Sequence, residues 1–241
     1  MSPAAEKLDS GPSPTPQTAK IVTIAAGHAA LDTYSAFLPP LLPVFIERLS
    51  LARAEAGLLT VFLQGPSLLQ PVIGHLGDRR DLRLAVILSP AVTAVCMSLM
   101  GVAPGYGALV LLLVTAGLSA AVLHSVAPVL AGRLSGHRLG YAMGFWMVGG
   151  ELGRTLGPEL VVSTVALLGL GGMPWLMVGG VAASALLAFG LRDVRARGLC
   201  AGPPPSFSRS VRSMRPLLVP LSGIVVSRAF MMAAFSTYLP V

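Results

Sequence analysis

Seven side chains that can carry charge fall within stretches that are otherwise apolar: His28, Asp32, His124, Glu151, Arg154, Glu159 and Arg228. A charge at the centre of a membrane-spanning helix costs about 2.5–3.5 kcal/mol on insertion scales, so such groups face a partner or a water-filled cavity. Three carboxylates stand against two arginines, which leaves one negative charge if both histidines are neutral. One carboxyl is therefore expected to hold a proton, meet water or lie near a positive helix end.

Helical spacing sorts these groups. His28, Asp32 and Ser35 stand at i, i+4 and i+7, within about 60° of one face. Glu151 lies about 60° from Arg154, near enough to pair. Asp32 has no opposite charge on its own helix. A carboxyl that loses water without gaining a countercharge favours its neutral form, which nominates Asp32 as the proton site, with His28 and Glu151 as helpers. Gly150, Gly153 and Gly157 share another face and make a smooth stripe for close helix contact. Pro158 kinks that helix, so periodicity does not aim Glu159.

The elements that position these residues are membrane spans. The 241 residues are 54% hydrophobic and 11% charged, above the 45–50% apolar content usual for a soluble domain, and the mean hydropathy is +0.77. Windows of about 20 apolar residues, enough to cross a bilayer, recur at 21–45, 56–76, 84–102, 108–130, 139–168, 174–191 and 217–241. Residues 1–20 are polar and proline-rich and read as a disordered tail. The stretch 192–216 is rich in Arg, Pro, Gly and Ser and reads as a flexible linker between two halves. AFLPP at 36–40 faintly repeats as TYLPV at 237–241.

The breaks that follow even-numbered spans, together with the tail, hold 13 of the 17 Lys and Arg, against only Arg48 and Arg53 on the opposite side. Such a bias places the amino terminus in the cytoplasm. It also accounts for the net charge of +7 without nucleic acid, whose binders gather basic residues on one face. Cys96 and Cys200 have no metal-ligand spacing around them, so neither a disulfide nor a metal site is expected, and no cofactor is implied. The only lysines, Lys7 and Lys20, precede the first span, which excludes a retinal Schiff base. There is no HExxH, and GLSA at 117–120 lacks the last glycine of GxSG. An enzyme is not expected, and a seven-helix receptor explains none of the motifs below.

Six spans, a basic linker and a seventh span resembling the first are similar to the start of a major facilitator superfamily transporter. GHLGDRRDLR resembles the cytoplasmic gating signature GxxxDRxGRR, keeping Gly74, Asp78, Arg79 and Arg83 but placing Asp81 where the second glycine stands. Gly144, Gly153, Gly157 and Pro158 match the antiporter signature Gx8GxxxGP. GHAALDTYSAFLPPLLP is similar to the opening of the fosmidomycin-resistance family of efflux transporters. The resemblance implies an all-α inner-membrane protein made of a six-helix bundle over 21–191 and the first helix of a second bundle over 217–241, truncated before its last five helices. It implies proton-coupled efflux of a small phosphonate- or carboxylate-bearing compound, with membrane lipid as its other partner. In that fold the first, fourth and seventh helices line the path, which would bring Asp32, His124 and Arg228 to one cavity. Ser35 shares the face of Asp32, and Arg154 of the fifth span is a second mid-membrane arginine for an anionic group. Ser35, His124, Arg154 and Arg228 are therefore the expected substrate-holding residues. A fragment that works only with partners, or not at all, is the alternative.

Overall fold

The computed structural model describes residues 15–194 and 207–238, except for the side chains of 207–211, 228–230 and 232–238. Contacts divide the chain into two units, Met1–Gly198 and Leu199–Val241. The described residues are almost wholly helical. In the first unit α1 (Thr18–Ser35) and α2 (Leu38–Leu49) form one span, and α3 (Arg53–Gln64) and α4 (Gln70–Gly77) a second. They are followed by α5 (Arg83–Leu99), α6 (Tyr106–Leu134), α7 (Leu139–Leu168) and α8 (Met177–Gly190). The second unit contains α9 (Phe207–Tyr238).

Among the described residues, five segments are long and apolar enough to cross a membrane: Thr18–Leu49, Arg53–Gly77, Arg83–Val102, Tyr106–Leu134 and Leu170–Gly190. α7 has the length, at 30 residues, but Glu151, Arg154 and Glu159 dilute its hydropathy. The structure corrects several sequence expectations. The first two spans are broken, because Pro39 has no N–H and its ring would strike the carbonyl four residues back at Ser35. The chain turns at Ala36 and Phe37 before α2 begins. Pro66 and Pro71 similarly replace the middle of the second span with a 3-10 turn, Gly65–Leu69.

Helix also extends into regions read as tail and linker. The Gln17 N–H donates to the Leu134 carbonyl at 2.9 Å, and Lys20 lies in the first turn of α1, inside the span and not before it. α9 starts at Phe207, ten residues ahead of the expected seventh span. The rest of the expected linker, 195–206, the tail up to residue 14 and the second half of the 36–40 repeat, at 239–241, lie outside the described residues.

The prolines cost backbone bonds that neighbouring helices replace. Around Pro90 in α5, the Ala91 N–H donates to Ser184 Oγ of α8 at 2.9 Å, and Ser119 Oγ of α6 donates to the Ser89 carbonyl at 2.9 Å. Such repairs are how a bilayer tolerates broken helices. At the end of α7, Gly169 adopts φ +68, a conformation that side chains disfavour. Arg48, one of the two basic residues on the minority side, donates to the Gly101 and Ala103 carbonyls at 2.7 and 3.2 Å. Its charge clamps α2 to the break after α5, and so it has a packing reason to stand against the topological bias.

Two apolar clusters flank the middle of the bundle. One gathers Ile21, Leu31, Leu123, Leu130 and Trp146, and the other Phe37, Phe45, Leu109, Leu113 and Val161. Between them α6 turns residues 117–124 toward a cavity of about 510 Å³.

Candidate functional site

α1 and α7 make the most extensive helix pairing, and glycines allow it. A Cβ at Gly149, Gly153 or Gly157 would strike the carbonyl oxygen of Ala25, Ala29 or Thr33 respectively. Both helices step by four residues, so the two backbones run in register along three turns. At Gly150 the missing Cβ makes room for a ring, since it would lie 2.5 Å from Cε1 of His28. Gly144 departs from this pattern. Its Cβ would meet nothing within 4 Å, which removes it from the packing stripe that its motif position suggested.

This close pairing brings Asp32 against α7. Arg154 Nη1 donates to Asp32 Oδ2 at 2.7 Å, while its Nη2 and Nε donate to Glu151 at 2.6 and 3.4 Å. The pairing of Glu151 with Arg154 follows their spacing. The expectation that Asp32 lacks a fixed countercharge is wrong, because its countercharge comes from another helix. Asp32 is 5% exposed and Arg154 48% exposed, so one guanidinium, half open to the cavity, is shared by a buried and an exposed carboxylate.

Two histidines close on the same carboxylate. His28 Nε2 lies 3.2 Å from Asp32 Oδ2, and His124 Nε2 lies 3.3 Å from Oδ1. The rings are fixed from behind. His28 stacks on Trp146 with centroids 3.7 Å apart, and its Nδ1 lies 2.8 Å from the Trp146 carbonyl. His124 Nδ1 lies 2.9 Å from the Ala120 carbonyl. A carbonyl only accepts, so each Nδ1 carries the hydrogen and each Nε2 turns a lone pair inward. The two Nε2 atoms are 3.2 Å apart. Three acceptors facing one another repel unless a proton or another cation lies among them. One proton there also cancels the negative charge left by Asp32, Glu151 and Arg154.

The cavity is lined by Asp32, Ser35, His124 and Arg154, with Gln64 and Gln70 across from them. Ser35 lines the cavity, and its Oγ is buried with no hydrogen-bond partner. Thus Asp32, His28, Ser35, His124, Glu151 and Arg154 come together from α1, α6 and α7. Glu159 is exposed and outside this group, and the side chain of Arg228 lies outside the described residues. Sequence reasoning missed Trp146, Gly149, Gln64 and Gln70. Trp146, Gly150, Gly153 and Gly157 are spaced by four, three and four, and Gln64, Ser67 and Gln70 by three, so both stripes were readable by period.

Gly74 lies in α4, Asp78 caps it, Arg79 follows in the turn, and Arg83 opens α5. Asp81, the departure from the signature, accepts the Arg83 N–H at 3.0 Å and so starts α5 where a glycine could not.

Over 166 residues the chain is 26% identical to the fosmidomycin resistance protein of Escherichia coli (strain K12), covering 68% of this chain and 41% of that protein. Over 158 residues it is 27% identical to the uncharacterised MFS-type transporter YfnC of Bacillus subtilis (strain 168), covering 64% of this chain and 38% of that one. It therefore spans about two fifths of the length of these curated relatives. Residues 24–241 match the Major Facilitator Superfamily, and with the all-helical, multi-span architecture above, the chain belongs to that superfamily of membrane transporters.

Proposed function

We propose that the chain forms one side of the pathway of a secondary transporter that exports a small organic compound in exchange for protons. The carrying observation is the arrangement around Asp32, a buried carboxylate bound by one half-exposed arginine and two histidines at a cavity wall. Exchange requires proton and substrate to contend for the same atoms. Asp32 Oδ1 and His124 Nε2 are such atoms, since a proton fills the space between them or a donor group of the substrate hydrogen-bonds to them once it has gone. Arg154 has one further N–H on each Nη beyond its bonds to Asp32 and Glu151 and offers these, with its charge, to an acidic group, and Ser35 a further bond. The substrate class is therefore a compound with both an acidic group and a hydrogen-bond donor. The Escherichia coli relative is named a fosmidomycin resistance protein, which agrees with a small organic compound as the substrate.

In this reading the protein lies in the inner membrane with its amino terminus in the cytoplasm, on the strength of the basic bias, and the Gly74–Arg83 break is the cytoplasmic gate. Residues 192–216 join the six-helix bundle to the first helix of a second bundle. The test is Asp32→Asn within a transporter carrying both halves. Gradient-driven efflux should cease, while substrate binding, weakened by loss of the charge but still offered the amide Oδ1, or passive exchange remains measurable. Efflux retained at normal expression would move the coupling to Glu151, Glu159 or a histidine.

A further inference from the structure

We propose that His28 Nε2, His124 Nε2 and Asp32 Oδ1 form a binding site for a divalent transition metal, Zn2+ by preference. The cysteine spacing of the chain pointed away from any metal, but it says nothing about ligands on two different helices. The three ligand atoms lie within 4.8 Å of one another. The two Nε2 atoms are 3.2 Å apart, and His124 Nε2 is 3.3 Å from Oδ1. Adjacent ligands of tetrahedral zinc, with bonds of about 2.0–2.1 Å, stand about 3.3–3.4 Å apart. Two of the three edges of the cluster thus have nearly the length of a tetrahedral edge before any metal enters, and the third, from His28 to the carboxylate, stays within 4.8 Å.

The outer partners point the same way. Metal-binding histidines donate their second ring N–H to a carbonyl or carboxylate, which fixes the tautomer and the ring direction. His28 does so to Trp146 and His124 to Ala120. Asp32 Oδ2 is held by Arg154 Nη1, which orients the carboxylate and leaves Oδ1 for the metal. His124 is 30% exposed and lines the cavity, which gives an entry path and a fourth position for water or a ligand oxygen. A divalent ion beside Arg154 leaves one positive charge over Asp32 and Glu151, so that fourth position favours an anion. Two imidazoles and one carboxylate with no thiolate suit zinc and its neighbours over calcium or magnesium.

The site uses the lone pairs assigned above to the coupling proton, but metal binding is measured without transport and stands if the efflux reading fails. The purified chain, carrying no histidine tag, is titrated with Co2+ in detergent and followed by visible absorption. One equivalent should give the intense d–d bands of a tetrahedral ion, and Zn2+ should erase them. His124→Gln removes a ligand outright and should weaken binding by more than about a hundredfold, beyond the roughly 10–100-fold that loss of an outer partner costs. His137→Gln, exposed in the turn after α6 and 13 residues from His124, should leave it unchanged. Weak octahedral bands, or affinity indifferent to His124→Gln, would overturn the proposal. Should His124→Gln not fold, zinc-edge X-ray absorption of the unmodified chain decides. Imidazole and oxygen scatterers are expected, and sulfur, or oxygen alone, would place the metal elsewhere.

Discussion

Replacing Gly153 by alanine should destabilise the bundle, although the same change at Gly144, nine residues earlier in α7, should not. Alanine is the better helix former by about 1 kcal/mol, so without contacts both variants gain. At Gly144 the new methyl enters open space and most of that gain remains. At Gly153 it strikes the Ala29 carbonyl, and it lies 2.9 Å from Thr33 N and 3.0 Å from Asp32 Cβ. Two of those atoms are backbone of a helix in register over three turns, so rotating a side chain gives no relief, and α1 must move bodily. Overpacking of this kind costs about 1–3 kcal/mol, and a rigid neighbour places it at the upper end. Set against the propensity gain, the net loss is about 2 kcal/mol. For a chain of this size that lowers the unfolding midpoint by about 4–8 °C. Thermal unfolding of the purified chain in detergent, followed by Trp146 and Trp175 fluorescence, measures it. Gly157→Leu should be worse still, because its Cβ meets the Thr33 carbonyl and lies 2.8 Å from Ala36 Cβ. A Gly153→Ala midpoint equal to that of the unmodified chain, or a larger fall for Gly144→Ala, would refute the register argument.

Two further outcomes follow from other contacts. Arg154→Gln leaves Asp32 buried with only the histidines to balance it, whereas Glu151→Gln removes an exposed partner; the first should therefore lower abundance and midpoint more than the second, which stays within about 1 kcal/mol as exposed pairs do. Equal losses would show that Arg154 serves chiefly Glu151. For topology, in a background without Cys96 and Cys200, Gly105→Cys should react with an impermeant thiol reagent added outside intact cells and Asp81→Cys should not; the reverse pattern would invert the chain in the membrane.

What was legible in the sequence was what a single helix can express. The apolar windows located the five membrane-crossing segments of the first unit to within a few positions, although the seventh window began ten residues after α9 does, and the three-residue step from Glu151 to Arg154 specified their pairing. The breaks in the first two spans were written in Pro39, Pro66 and Pro71, but a hydropathy window averages over prolines and reads straight through them. Relations between helices were not expressed. Helical periodicity shows only that Asp32 has no countercharge on its own helix; Arg154 stands 122 residues away and His124 on a third element. Gly144 and Gly153 look alike in a motif, and only the facing helix separates a glycine that is needed from one that is not.

The same limit explains why the histidines carried so little weight alone. A lone histidine in a span is as easily a hydrogen-bonded bridge as a functional group. What changes the reading is the direction of both rings at once. Each Nδ1 is committed to a backbone carbonyl and each Nε2 is turned toward one carboxylate. A bridge between helices would be satisfied by a donor on one side and an acceptor on the other, as a neutral imidazole provides. Here both rings turn an acceptor toward the carboxylate, whose donor partner on Oδ2 is Arg154 Nη1, so a proton or metal ion bound among them would relieve their repulsion. A site in which α1, α6 and α7 each contribute a group and whose balance depends on a cation is sensitive both to what enters the cavity and to any change in the spacing of those helices.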